Sequence, residues 1–488
     1  MAYKHGAYGE ITASKVSPAK QSDSVATYIG TAPINLIRGY AEKNLVNMPI
    51  KVANMSDTQS KLGYSENWEA FTLCEAFAEH FDNTVGNVGP IYVVNVLDPD
   101  VHRDAEKTTT ELKFTNQRAE FESSVIILDT FAIADKAEGV DYSLEYNFAK
   151  GTVIVKLLAD DESETLQCSY DTVKASAVEA ADIIGATTAD GQYTGLHALK
   201  LLYQNYNAVL NMLAAPGWSH IPAVYKALVS NVQKLNGHWD AFVNADIPLE
   251  DDGTAIDTIE KAIAWKEANG YNAERSKVYW PKVKDGSGRI YHLSTVGQDT
   301  MLRVDLSRNS IPFESPSNKE IMATAQFFGE TAKNSGFDQQ TGNTLNEKGI
   351  TTACFWGGQW VLWGPHTAAY SYGGNHDARA IFDVNIRMLM HITNSFQKDH
   401  GTDIDKPMTP QEKDTILNFE RQKLDTLCGI GALIGAPSVE FMETENPVAD
   451  MMNGDFVWNF DVTNAPPFKS GTARVSYTDE GFAAFFGE

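Results

Sequence analysis

Two alternating stretches close the chain and constrain it most. From Asp455 to Thr463, Phe456, Trp458, Phe460 and Val462 fall on one side and Val457, Asn459, Asp461 and Thr463 on the other. That is the period-2 signature of a strand with one buried face. Residues 464–471 (NAPPFKSG) interrupt it, and Thr472–Thr478 resumes the alternation with Ala473, Val475 and Tyr477 on the apolar side. Eight extended residues span up to roughly 26–29 Å, and Pro466-Pro467 favours that extended course over a tight turn. The pattern admits a long-looped hairpin within one domain, or an arm that adds its strand to another subunit's sheet. The choice separates a self-contained soluble protein from a building block.

A chain of 488 residues is too long for one simple core and implies about two to four domains. Its 64 acidic against 39 basic residues give a net charge of −25. That balance argues against broad binding to nucleic acid or to anionic membrane, both of which reward clustered Lys and Arg. Cys74, Cys168, Cys354 and Cys428 are far apart and form no CxxC pair. They read as free, mostly buried thiols of a protein made in a reducing cytoplasm. The start lacks the apolar segment of a signal peptide, and no run of eighteen apolar residues predicts a transmembrane helix.

The expected fold class is α+β multidomain: an α/β core domain with an inserted all-β module, and a C-terminal α+β domain bearing extended terminal arms. Residues 1–25, with Tyr3, Tyr8 and Ile11, suit an N-terminal arm as well as a loose terminus. Residues 26–97 and 173–345 form the core. Strands are expected at Val25–Pro33, Met48–Val52, Ile91–Val96, Ala241–Asp246 and Ser276–Trp280, and helices at Glu69–Phe81, Pro222–Leu235 and Ile256–Glu267. Gly195–Leu202 reads as a strand and Asn205–Leu213 as a helix. Residues 98–172 are the β module, with strands at Phe121–Leu128, Tyr142–Phe148, Thr152–Leu158 and Leu166–Tyr170. Residues 346–467 form the C-terminal domain. It opens on a hairpin around Gly357-Gly358 and carries helices at Asn385–Phe396 and Pro410–Leu427, the second with Ile416, Phe419, Leu424 and Leu427 on one side. Residues 468–488 are the C-terminal arm.

Chemistry does not surface. The glycines of Gly429–Gly435 are spaced GxGxxxG after a long helix, which fits a helix cap and loop rather than a pyrophosphate cradle. There is no P-loop, HExxH, GxSxG or calcium-loop motif. His238-Trp239-Asp240 and His376-Asp377 put histidine near carboxylate, but sequence neighbours rarely face one another. Trp356, Trp360, Trp363, Phe456, Trp458 and Phe460 lack a companion basic stripe and read as core or subunit interface. No catalytic, cofactor or metal residue is assigned, and no cofactor is expected.

An ordered set of segments resembles the contractile tail sheath proteins of phages and phage-tail-like particles. It runs from His5-Gly6-Ala7-Tyr8 through Ile29–Ile34, Asn47–Ile50, Leu62-Gly63, Phe77–Asn83 and Ile91–Val96. It continues with Ala215-Pro216-Gly217-Trp218, Asp246-Ile247-Pro248, Val278–Pro281 and Pro312–Asn318. Glu347–Ile350, Trp363-Gly364, Asp383–Arg387 and Glu445-Asn446-Pro447 complete it. The family often has Trp-Gly-Xaa-Arg-Thr where this chain has Trp363-Gly364-Pro365-His366-Thr367, which puts any ion pair of that arginine in doubt.

The resemblance implies a structural subunit, not an enzyme. It would polymerise as a helix around an inner tube and contract to drive that tube through a target envelope. Implied partners are itself, the inner tail tube protein, and baseplate and tail terminator proteins, with no nucleic acid and no membrane insertion. The implied location is the virion tail, assembled in the host bacterial cytoplasm. Tyr3, Tyr8, Ile11, Ala473, Val475 and Tyr477 would be arm residues joining subunits. Lys413, Arg421 and Lys423, on the helix at Gln411–Leu427, are candidate tube-facing cations, a solvated face being the alternative. A virion-surface or adhesin-like binding module is the competing reading, with a hydrolase on the α/β core behind it.

Overall fold

Six apolar runs become parallel neighbours in one sheet. In the computed structural model, which describes residues 24–158, 165–333 and 336–487, the strands are β1 (Ala26–Gly30), β2 (Pro49–Val52), β3 (Ile91–Asn95), β4 (Met212–Ala214), β5 (Phe242–Asp246), β6 (Ser276–Tyr279), β7 (Ile350–Trp356) and β8 (Gln359–Trp363). Their order is β8-β7-β6-β5-β4-β1-β3-β2, with β2 and β8 pairing antiparallel at the two edges. β1 is the pivot, pairing Ala26 with Met212 on one side and Thr27 with Tyr92 on the other. All five residues of β1, β3 and β5 are buried, as a parallel sheet covered on both faces requires.

The crossover helices include α1 (Leu73–Phe81), α2 (Pro222–Asn231), α3 (Ile259–Asn269) and α4 (Leu293–Ser307). Strand periodicity identifies the faces. Ser276 Oγ meets Tyr225 Oη of α2 at 2.7 Å, whereas Tyr279 points to the opposite face, beneath α4. A Cβ at Gly297 of α4 would collide with the Tyr279 ring, so glycine there permits the close approach of helix and sheet. α4 lies across β1, β4, β5 and β6 and alongside α1.

The β module folds as two three-stranded antiparallel sheets. One contains Thr108–Lys113, Thr165–Tyr170 and Ala132–Ile133; the other contains Arg118–Glu122, Thr152–Leu157 and Tyr142–Asn147. Its own core includes the stacked Phe121 and Tyr170 rings, 5.7 Å apart, and takes in Leu36 from the main body. Asn35 Nδ2 donates to the carbonyls of Ser124 and Ile126 at 3.0 and 2.8 Å, fixing the join.

α5 (Asp383–Asp399) is a shared wall. Ile386 and Met390 enter the main core, while Met388 and Ile392 enter a second core with α6 (Pro410–Gly429) and the antiparallel pair β9 (Ser438–Glu440) and β10 (Asn459–Asp461).

Several sequence expectations change. Gly195–Lys200 is a 3₁₀ helix continued by an α-helix at Leu201–Tyr206, and the strand comes afterwards at Met212–Ala214, reversing the expected order. The first strand of the β module, Thr108–Lys113, was not anticipated, and the strand expected at Phe121–Leu128 ends at Glu122. The Gly357-Gly358 hairpin forms as expected but extends the central sheet, because β7 pairs with β6; a hairpin signal is local and does not say which sheet receives it. On α6, Ile416, Leu424 and Leu427 are buried but Phe419 is 44% exposed, and Leu417 takes the inward place. The closing strand is hydrogen-bonded as a strand over only Asn459–Asp461, although Trp458, Phe460 and Val462 all pack on the second core. Tyr3, Tyr8 and Ile11 lie outside the described residues.

Candidate assembly interface

An open α/β sheet binds ligands where neighbouring strands send the chain in opposite directions, here at the ends of β1 and β4. That crevice is filled by Thr72. A Cβ at Gly30 would collide with Thr72 Oγ1, and Gly217, at φ +76°, lies against Thr72 Cγ2. The backbone N–H groups that an anion would use are already engaged. Thr31 N donates to Thr72 Oγ1 at 3.2 Å, Thr72 N to Thr31 Oγ1 at 2.9 Å, and Ala32 N to Asn95 Oδ1 at 2.8 Å. Among the described residues no group of His, Cys, Asp and Glu is placed to hold a metal ion. His376 stacks edge-on to Tyr370, and Asp240 pairs with Lys234 and Arg275, so neither sequence-adjacent His/Asp set forms a dyad.

Buried polar groups instead run under α4. Gln298 donates to Thr27 O at 2.9 Å and accepts from Asn244, which also receives the Tyr279 hydroxyl. Asp246 accepts from Ser294 N and Oγ and from Ser219 Oγ, yet burial pushes its carboxyl upward. Between α1 and α4, Asn83 Nδ2 donates to Glu79 Oε1 at 3.0 Å and to Asp299 Oδ2 at 3.4 Å. Burial, reinforced for Glu79 by the charge of Asp299, raises both carboxyls, that of Asp299 to about 7. His80, between Tyr28 Oη at 2.7 Å and Val88 O at 3.0 Å, is pushed down to about 4 by burial. These groups tie helices to the sheet.

α5 is anchored by three polar residues. Asp383 meets Lys277 Nζ at 2.5 Å with both side chains fully buried, and Arg387 pairs with Asp305 of α4. Asn394 donates to Asp240 O at 2.8 Å and accepts from Asp240 N at 3.1 Å. Asp383 and Arg387 belong to a segment quoted for its resemblance; their partners Lys277 and Asp305 carried no sequence signal. His366, at the position of the family's arginine, makes no ion pair among the described residues. It is sandwiched between Tyr370, with ring centroids 3.6 Å apart, and Phe382, and burial pushes its imidazole down to about 4.

The candidate tube-facing cations do not share one face. Lys423 turns to Asp399 at 2.8 Å and Glu420 at 3.1 Å, and Lys413 lies beside Asp414 and 5.9 Å from the Phe441 ring centroid. Arg421 is exposed.

The feature without an internal explanation is the C-terminal segment. β9 and β10 pair Val439 with Phe460, and the pairing is prolonged by Ile434 N to Thr463 O and Ala465 N to Ala432 O. The Asn446 amide holds Val457 through both its N–H and its C=O, at 2.8 and 3.0 Å, doing for one residue what a third strand would do. Between Pro466 and Thr478 no backbone–backbone hydrogen bond forms among the described residues. Phe468, Val475 and Tyr477 are 89%, 92% and 85% exposed, and Ala473 is exposed with them. A two-stranded ribbon is marginal on its own, and its outer edges carry no partner strand among the described residues.

Open sheet edges and an exposed apolar segment are surfaces that other chains can cover. Comparison with known proteins gives the kind of protein. The chain is 27% identical over 480 residues to the tail sheath protein of Burkholderia phage BcepMu, covering 94% of this chain and 93% of that protein. No family model matches. Among solved structures, a chain of the anti-feeding prophage baseplate aligns over 98% of this chain and 100% of its own length, with TM-score 0.57 at 14% identity. A chain of the contracted PVC sheath complex, from an extracellular contractile injection system, does so over the same shares with TM-score 0.53 at 12% identity. The chain is a relative of the contractile tail sheath proteins.

Proposed function

We infer that this protein is a structural subunit of a contractile tail sheath: it polymerises as a helix around an inner tube and contracts to drive that tube through a target envelope. The observation that carries the reading is the unpaired segment 466–478, with its exposed alternating Ala473, Val475 and Tyr477, beside a two-stranded sheet with open edges. Each segment is what the other lacks, and exchange between copies completes both. Residues 1–25, through Tyr3, Tyr8 and Ile11, form the second arm in this reading.

The further partners are the inner tube and the baseplate and terminator proteins, and the particle is a virion tail or a tail-like device assembled in the bacterial cytoplasm. The exposed face of α6, with Arg421, is the proposed tube contact; Lys413 and Lys423 stand at its margins. The working division is arm 1–25, core 26–97 and 173–345, outer β module 98–172, inner unit 346–467 and arm 468–488, with β7 and β8 shared between core and inner unit. The protein acts without turnover. A virion-surface binding module is the competing reading, and the β module at 98–172 is where its ligand would sit.

Electron microscopy of the purified protein tests the assembly directly. Striated tubes or stacked rings are the expected result; a uniform monomer at high concentration would overturn it.

A further inference from the structure

Two buried ion pairs hold α5, and they differ in how completely their atoms are satisfied. Lys277 Nζ donates to Asp383 Oδ2 and, at 3.3 Å, to His366 O, while Asp383 Oδ1 accepts from Val384 N at 2.7 Å. Neither side chain leaves a buried polar atom unpaired among the described residues. Arg387 and Asp305, 4% and 1% exposed, meet at one corner only. Asp305 Oδ2 takes the N–H of Arg387 Nη2 and, at 3.1 Å, the Ser24 hydroxyl. Arg387 Nη1 and Asp305 Oδ1 are buried with no partner among the described residues. Both side chains line a cavity of about 20 Å³, whose other walls include Ser24, Asn211, Asp240 and Met390.

We propose that this cavity is a binding site for one water molecule, which accepts from Arg387 Nη1 and donates to Asp305 Oδ1. Size, charge and hydrogen-bond polarity select that ligand together. A single water needs about 10–15 Å³ of such space, so the cavity takes one and leaves no room for a hydrated ion. A bare anion would lie against the carboxylates of Asp305 and Asp240, and a bare cation against the Arg387 guanidinium. Water both accepts from the N–H and donates to the carboxylate. Charged groups buried without partners bear their full desolvation cost, and a bridging water replaces the missing bonds with ones nearly as good as direct contacts. The join between α4 and α5 then has two sides, one direct and one through water. α5 is fastened to the central sheet by a dry ion pair and to α4 by a hydrated one. The site belongs to the folded subunit and stands apart from the sheath reading.

A high-resolution map of the full-length protein, by crystallography or electron cryo-microscopy, tests it. The expected result is a single density peak within hydrogen-bonding distance of both Arg387 Nη1 and Asp305 Oδ1. No peak there, in a map that shows ordered waters elsewhere in the core, would overturn the proposal. So would a guanidinium and carboxylate lying side by side with two direct bonds, which leaves neither atom in need of a bridge, or a peak with the coordination of a metal ion. Magnetic relaxation dispersion of the solvent gives a second reading, since it counts long-lived internal waters. Arg387→Met with Asp305→Leu removes both partners and is expected to lower that count by one, with unaltered far-UV circular dichroism. An unchanged count in the folded double variant would overturn the site. If the double variant does not fold, the map of the native protein decides by itself.

Discussion

Lys277 and Asp383 form an ion pair at 2.5 Å in which neither side chain is exposed at all, and it joins the central sheet to α5. Four residues along, Arg387 repeats the arrangement with Asp305 of α4. Charges so far from water are held in place by each other. Removing one leaves the other uncompensated, at a cost of about 3–5 kcal/mol, whereas replacing both with apolar side chains of similar size is close to neutral. Asp383→Ala is therefore expected to destabilise the subunit by about that amount in denaturant unfolding. The double change Lys277→Met with Asp383→Leu should recover most of the loss. Equal losses in the single and double variants would show that the pair is not the source.

The Glu79–Asp299 pair predicts how subunit stability depends on pH. Both carboxyls are raised in the fold, so the folded state holds protons that the unfolded chain has already released. Stability from these groups is greatest below about pH 4 and is lost as pH rises through the folded value of Asp299, about 7. His80 acts in the opposite sense. Its value falls to about 4, so it gains stability as pH rises from there towards its unfolded value near 6.5. The two trends oppose one another below about 6.5; above that only the carboxyls act. The melting temperature of the free subunit is expected to fall between about pH 6.5 and 8, and Glu79→Gln is expected to flatten that fall. An unchanged slope in the variant would contradict the assignment.

The unpaired C-terminal segment predicts a separation of folding from assembly. Val475→Asp and Tyr477→Asp change side chains that are 92% and 85% exposed, so stability of the free subunit should shift by no more than about 0.5 kcal/mol. In the assembled state each residue would lose about 1.5–3 kcal/mol of burial, and the charge would be buried as well. Sedimentation should show a folded subunit that no longer forms large species, and deletion of residues 468–488 should do the same. Tubes of normal length from either variant would remove this end from the strand-exchange scheme.

Much of the fold was legible because its signals are local. Ile91–Val94 is a continuous apolar run, and it became a strand buried on both faces; the Gly357-Gly358 turn became the hairpin expected of it. The inverted reading at 195–213 has a periodic cause. Leu196, Leu199 and Leu202 recur every third residue, the repeat of a 3₁₀ turn, while the true strand is only three residues long. Lys277 and Asp383 lie 106 positions apart, and Arg387 and Asp305 lie 82 apart, so no window of sequence could pair them. The alternation of Thr472–Thr478 was visible, but the segment pairs with no strand among the described residues. The cations of α6 were legible as charges, yet only the packed helix reveals that Lys423 is spent on Asp399 and Glu420.

Charge makes the last prediction. Each subunit carries a net −25, and a lattice of many copies brings those charges within a few tens of ångströms of one another. Screening shortens the reach of the repulsion to about 10 Å at 0.1 M salt and about 3 Å at 1 M, comparable to the width of a subunit contact. Contacts made by backbone pairing and apolar burial lose little over the same range. Polymerisation of the purified protein is therefore expected to need a lower critical concentration as sodium chloride rises from about 0.05 to 0.5 M, measured by pelleting or light scattering. A critical concentration that rises with salt would mean that the lattice is held by ion pairs between subunits rather than by exchanged strands.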